Sequence, residues 1–252
     1  MIISFYAYQF LIWIWMGVAL AVFFLLLRIN APYGRHSSVK WGPAIDNHIA
    51  WLLMELPALV VMGFCFTRVI SVSVVVAVLT GLYCLHYINR TIIFPFRIRT
   101  RGKKMPVVIM GSAVFFNLVN TFFLGYYFTH FNAYPDNYFS SPLCIAGVIL
   151  FFTGLSINWW ADNRLIHLRR PGETGYKIPT GGLFNLISCP NMMGELLEWG
   201  GYAIVCRNLP ALAFLVLTVA YLLPRALAHH RWYKKEVRDY PTGRKAIIPF
   251  IL

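Results

Sequence analysis

Acidic side chains are scarce in this chain. Its 252 residues include 9 Asp and Glu against 22 Lys and Arg, a formal charge of +13. Cysteine is scarce as well. The five (65, 84, 144, 189 and 206) show no CxxC or Cys/His spacing, which argues against a structural zinc site and against a paired redox centre. No GxGxxG follows a strand, so a Rossmann domain is excluded. HExxH, GxSxG and a P-loop are missing too, and no cysteine has a recognisable histidine partner. No nucleic-acid motif accompanies the positive charge, so neither nucleic acid nor metal is expected as a partner. The lack of an internal repeat weighs against an inverted-repeat transporter.

What is abundant is apolar surface. Hydrophobic residues make up 59% of the chain, against about 45–50% in soluble domains. Seven apolar segments emerge, roughly 5–27, 49–67, 70–96, 106–129, 143–163, 190–206 and 209–233, each near the ~20 residues that span a bilayer. The expectation is an all-α polytopic membrane protein, a seven-helix bundle forming one domain over 1–252. The first run has neither a basic flank nor a small-residue cleavage site and reads as a retained helix. If the N-terminus faces out, segments 28–48, 97–105, 164–189 and 224–252 face in. They hold 3, 5, 4 and 7 Lys/Arg, or 19 of the 22. That asymmetry predicts an outer N-terminus and a cytoplasmic C-terminus. The membrane would be the inner membrane of a prokaryote or the endoplasmic reticulum of a eukaryote.

The few polar residues inside these segments carry the functional signal. Asn191, Glu195, Glu198 and Tyr202 share one helix face at i, i+4, i+7 and i+11. A carboxylate at the bilayer centre costs about 2.5–3.5 kcal/mol on insertion scales, so the stripe is either a binding site or interhelical glue. Glu55 lies two residues before Pro57, which can kink its helix. Tyr87 lies in His86-Tyr-Ile-Asn-Arg90, either in the interior or in an interfacial belt, with Arg90 free to snorkel to the inner face. Asn158 and Asp162 are i, i+4; Arg225, His229 and Tyr233 are i, i+4, i+8. Together they predict a polar cavity open to the inner side, lined by Asn158, Asp162, Asn191, Glu195, His229 and Tyr233. An apolar chamber is expected beside Glu55 and Tyr87. The basic run Arg97–Lys104 suits either lipid phosphates or a phosphate-rich cofactor, and the turn signals Pro171-Gly172 and Gly181-Gly182 give structure to the 164–189 segment.

Several stretches, in this order, resemble the steroid 5α-reductase family. They include Glu55-Leu-Pro57, Leu85-His-Tyr-Ile-Asn-Arg-Thr91, Gly125-Tyr-Tyr127, Asn158 with Asp162, Arg170-Pro-Gly-Glu173 and Tyr176-Lys-Ile-Pro-Thr-Gly-Gly-Leu-Phe184. Gly194-Glu-Leu-Leu-Glu-Trp199, His229-His-Arg-Trp-Tyr233 and Arg244-Lys-Ala-Ile-Ile-Pro-Phe250 follow. The resemblance implies a membrane enzyme that uses NADPH to reduce the Δ4 double bond of a 3-oxo steroid. It implies Glu55 and Tyr87 as the catalytic pair and Trp51, Glu55 and Tyr87 as substrate contacts. The implied cofactor contacts are Asn158, Asp162, Arg169, Tyr176, Lys177, Asn191, Glu195, His229 and Tyr233. Arg97, Arg99, Arg101, Lys103 and Arg169 are the candidates for the 2′-phosphate, and loops 97–105 and 164–189 would cover the nucleotide. The expected partners are a steroid-like lipid and the bilayer, with the protein a monomer. The chain departs from animal members in its longer, arginine-rich 97–104 loop and in Phe94, where they often carry tyrosine. A reductase of another lipid enone, an isoprenylcysteine-type methyltransferase and a transporter are the competing readings.

Overall fold

The computed structural model describes residues 3–36, 39–70, 72–100, 102–135, 137–168 and 177–252. Among them, seven helices of 17 or more residues build the molecule. They are α1 (Phe5–Arg28), α2 (Asn47–Thr67), α3 (Val74–Arg97), α4 (Val107–His130), α5 (Pro142–His167), α6 (Pro190–Cys206) and α7 (Leu209–Glu236). All but α6 are long and apolar enough to cross a membrane. α6 has 17 residues and carries Glu195 and Glu198.

The helix starts follow local chemistry. Ser4, Asp46, Ser73 and Asn208 accept backbone N–H bonds at the starts of α1, α2, α3 and α7, meeting donors that a helix leaves unpaired. Pro142 and Pro190 open α5 and α6, where a missing N–H costs nothing. Inside α3 the regular winding widens to a π turn over Asn89–Ile93. Such a turn rotates the residues that follow relative to those before and often sits at a functional site.

The protein is not wholly helical. Strands β1 (Ala44–Asp46) and β2 (Lys104–Pro106) pair antiparallel, Ile45 opposite Met105. This ribbon ties the segment before α2 to the segment before α4, so both helices begin at the same end of the bundle. Short polar segments between apolar runs carry no long alternating pattern, which is why three-residue strands escape a periodicity reading. The C-terminal segment also folds back. Ile187 bridges Lys245, and Cys189 N–H donates to the Ala246 carbonyl, so residues 245–247 brace the start of α6.

α5 and α6 form the most extensive helix pair, and glycine sets their distance. A Cβ on Gly194 would lie 2.5 Å from the Asn158 backbone nitrogen, and one on Gly147 2.7 Å from Val205 Cγ2. Gly154 and Gly201 likewise face the backbones of Glu198 and Phe151. Small residues let membrane helices approach backbone to backbone. That contact sets the bearing of Asn158, Asp162, Asn191 and Glu195. The largest buried cluster holds Tyr83, Tyr87, Phe151, Trp199, Tyr202 and Phe214. The outer face of α1 presents Tyr6, Phe10, Trp13, Leu20 and Phe24 at the surface, an apolar patch suited to acyl chains.

Candidate active site

Three polar clusters lie within this frame. The first joins α2, α3 and α4. The Tyr87 hydroxyl donates to Asn117 Oδ1 at 2.9 Å. Asn117 Nδ2 donates to Glu55 Oε2 at 3.1 Å and to the Met54 carbonyl at 2.7 Å. Glu55 and Tyr87 are thus brought close through an intervening amide. Tyr87 is 3% exposed, packed against Tyr83 and His86. The interfacial-belt alternative for Tyr87 is set aside by that burial.

The second cluster joins α3, α5 and α6. Arg90 lies on the π turn and points inward. Its guanidinium pairs with Asp162 at 3.3 Å and approaches Glu195 at 4.0 Å. It also covers the rings of Trp51 at 4.6 Å and Phe94 at 4.7 Å. Arg90, which from its position could snorkel, is held inside the bundle by two carboxylates and two aromatic faces. Asn191 donates to Asp162 Oδ1 at 3.2 Å, and Asn158 donates to the Asn191 carbonyl at 2.9 Å. Asn158, Asp162, Asn191 and Glu195 therefore do meet. Trp51 belongs with them through Arg90 and stands one turn before Glu55.

Glu198 leaves this group. It is fully buried and pairs with His86 at 2.9 Å. The stripe read along α6 divides in two: Asn191 and Glu195 turn to the polar cluster, while Glu198 and Tyr202 bind α3, Tyr202 through the Leu79 carbonyl at 3.1 Å. For those two the interhelical-glue reading holds. Helical spacing places residues on a face but does not say which neighbour that face meets.

The third cluster surrounds the C-terminal end of α7. Tyr233 accepts a bond from Arg35 at 2.9 Å and stacks on Tyr240 at 5.2 Å. His229 stacks on His36 at 5.2 Å, and Arg225 lies over the Tyr33 ring at 3.3 Å. Sequence reading missed residues 33–36. They carry little apolar pattern, and only the fold lays them on the Arg225, His229 and Tyr233 row. Burial, with Arg225 and Arg35 nearby, lowers the His36 pKa to about 4, so its ring is neutral at pH 7. Three buried nitrogens there, His36 Nε2, His229 Nδ1 and Arg225 Nη1, have no hydrogen-bond partner among the described residues. Buried polar groups of native proteins are normally paired, and an oxygen-rich anion would meet this demand. Arg244, 3% exposed, adds a buried guanidinium on the Tyr240 ring.

Of the remaining candidates, Arg101, Arg169, Tyr176 and the Pro171-Gly172 turn lie outside the described residues. Lys103 sits in the turn before β2, with its carbonyl accepting from Asn47 N–H at 3.1 Å. Lys177 is exposed where the chain returns toward α6. Arg97 donates to Asn163 at 2.8 Å. Gly181 and Gly182 both adopt positive φ, as their turn signal predicts, and a Cβ on Gly182 would lie 2.8 Å from Trp160 Cζ2. All five cysteines are free thiols, and the described residues hold no cluster of three or more metal-ligating side chains.

Comparison with known proteins decides the family. Residues 103–252 match the family described as 3-oxo-5-alpha-steroid 4-dehydrogenase. The chain is 40% identical over 238 residues to human 3-oxo-5-alpha-steroid 4-dehydrogenase 2, covering 93% of each. It is 38% identical over 243 residues to steroid 5-alpha-reductase DET2 of Gossypium hirsutum, again 93% of each. The rat type 1 enzyme is 36% identical over 230 residues, 90% of this chain and 88% of its own. The chain belongs to the steroid 5α-reductase family. The similarity runs through animal and plant relatives alike, and the family's name denotes an oxidoreductase.

Proposed function

We propose that this protein reduces the Δ4 double bond of 3-oxo-Δ4 steroids to the 5α-dihydro product, with NADPH as reductant. The observation that carries the reading is the network in which half-buried Glu55 joins buried Asn117 and Tyr87 in a member of this family. When bound, the reduced nicotinamide supplies the hydride to C5, the β carbon of the enone. Negative charge then develops on the C3 oxygen. Tyr87 is the donor aimed at that charge, and Glu55 is the second polar group beside it. A fixed donor in a dry site stabilises such charge far better than water does. Protonation at C4 follows, from water. Trp51 forms the wall of the steroid site nearest Arg90.

Asn158, Asp162, Asn191 and Glu195 would hold the nicotinamide end of the cofactor, where amide and hydroxyl groups need both donors and acceptors. The unpartnered nitrogens beside His229 and Tyr233 suit its diphosphate. Arg97, Arg99, Arg101, Lys103 and Arg169 supply positive charge for the 2′-phosphate, with Tyr176 and Lys177 on the same covering loop. The 17-residue α6 crosses as a seventh span, giving an outer N-terminus and cytoplasmic C-terminus, and the protein acts as a monomer in its membrane.

The deciding experiment is NADPH consumption by detergent-purified protein offered a panel of 3-oxo-Δ4 steroids, products identified by mass. A 5α-dihydro product is expected. A methyl donor bound in place of NADPH, or steroid flux into liposomes without NADPH oxidation, would overturn the proposal. Replacing Glu195 tests the cofactor site. Glu195→Ala removes a carboxylate 4.0 Å from Arg90 while Asp162 still neutralises that arginine. We expect NADPH affinity to fall by about 1.4 kcal/mol or more, a factor of 10, with the melting temperature little changed. Unaltered NADPH affinity by titration would return Glu195 to a purely structural role.

A further inference from the structure

No signal in the sequence singles out Asn117. An asparagine in an apolar helix, like Asn120 one turn on, reads as interhelical glue. In the fold it lies on α4, 4% exposed, between the two residues assigned to the reaction. Its amide is committed in one orientation. Both amide hydrogens donate, to the Met54 carbonyl at 2.7 Å and to Glu55 at 3.1 Å, and Oδ1 accepts from Tyr87 at 2.9 Å. Turned over, the amide would set Oδ1 against two acceptors and its hydrogens against the Tyr87 hydroxyl. The network therefore determines the orientation.

We propose that Asn117 is a positioning residue for enone reduction, fixing the bearing of the Tyr87 hydroxyl and coupling it to Glu55 so that the two meet the C3 oxygen as one site. This role rests on the reaction proposed above. A phenol can swing its hydrogen from one side of the ring to the other, and a buried one points wherever an acceptor waits. The neighbouring Tyr83 hydroxyl is held by Thr121 at 2.6 Å, and the acceptor in line with the Tyr87 hydroxyl is Asn117 Oδ1 at 2.9 Å. Asn117 thus draws the Tyr87 hydrogen toward Glu55. Among the described residues, the bond to Asn117 is also the one side-chain hydrogen bond that Glu55 makes, and it turns this partly exposed carboxyl inward. Donation from the amide to a carboxyl polarises it and strengthens its oxygen as an acceptor. A change at Glu55 is therefore felt at Tyr87 through this one side chain. When the steroid enters, its C3 oxygen takes over as acceptor from a hydroxyl already held in place.

The test is a double-mutant cycle with Asn117→Leu, Tyr87→Phe and the combined variant, reading kcat, both KM values and the isotope effect of deuterated NADPH. Asn117→Leu should lower kcat by about 10–100-fold, the usual loss for a supporting group, with the KM for NADPH within about twofold. Its isotope effect should rise, because a misdirected Tyr87 slows the hydride step itself. A merely less stable protein lowers the amount of active enzyme and leaves the isotope effect alone. The combined variant should be no slower than Tyr87→Phe, since Asn117 acts through the hydroxyl already removed. Losses that multiply, or an unchanged kcat in Asn117→Leu, overturn the role. The isosteric Asn117→Asp keeps an acceptor for Tyr87 and loses the amide donors. It reports the same slowing and raised isotope effect if the leucine variant does not fold, and full activity in it likewise overturns the role. Turnover by the unaltered protein with unaffected variants sinks this role alone; no turnover by the unaltered protein sinks the reaction with it.

Discussion

Tyr87→Phe is expected to lower kcat for enone reduction by about 10²–10³-fold, the usual loss on removing one donor from a site of developing negative charge. The variant keeps the ring, so its packing against Tyr83 and Trp199 in the main core cluster survives. Only the hydroxyl is lost, and with it the bond to Asn117. Folding should therefore change little. NADPH affinity should hold, because Arg90, Asp162, Asn191 and Glu195 form a separate group. Glu55→Gln should also lose most of its activity, since its NH2 replaces one of the two acceptor oxygens and competes with the Asn117 amide for acceptors. The measurement is steady-state turnover beside NADPH binding by titration. Full turnover in both variants would reject the pair as catalytic. A fall in cofactor affinity that matches the fall in kcat would make the loss a binding effect.

The second large effect concerns stability. Gly154→Leu is expected to prevent α5 and α6 from packing, since even a Cβ there would run into the backbone of Glu198 and the Gly194 carbonyl. Ordinary overpacking costs about 1–3 kcal/mol because flexible side chains give way. Here the obstacle is helix backbone, so the cost belongs at the top of that range or above it. Adjacent glycines supply the control. A Cβ on Gly201 would meet the Phe151 backbone, whereas one on Gly200 would meet nothing within 4 Å. Gly201→Ala should lower the melting temperature in detergent, and Gly200→Ala should hold or raise it, helped by about 0.5–1 kcal/mol of helix preference. Equal melting temperatures for the two alanine variants would mean that the backbone-to-backbone contact does not set the helix spacing. Because Asn158 and Glu195 lie on the same two helices, Gly201→Ala should also weaken NADPH binding.

Much was legible before any fold was known. Seven apolar runs and their polar exceptions marked the helices to within a few residues, because a bilayer demands length and hydrophobicity from each segment independently of its neighbours. Pro190 marked the start of α6 for a similarly local reason. The candidates Glu55, Tyr87, Asp162 and Glu195 stood out because ionisable and polar groups are conspicuous in such segments. Partnership was another matter. Arg90 had a plausible route to the interface, and only the π turn and the inward carboxylates bring it to Asp162. Glu195 and Glu198 looked alike on one helix face, yet one joins Arg90 and the other His86. Asn117 and residues 33–36 carried no local signal at all.

The chain alone determined which stretches are apolar enough to favour a membrane and which few polar residues go with them, since those are transfer free energies that each segment meets by itself. Tertiary structure alone decided who touches whom: that an amide stands between Glu55 and Tyr87, that four glycines let α5 and α6 close up, and that a loop after α1 lies on His229. Such contacts join residues tens of positions apart, up to nearly 200 between Arg35 and Tyr233. They depend on the relative placement of whole helices, which no periodicity within a single segment encodes.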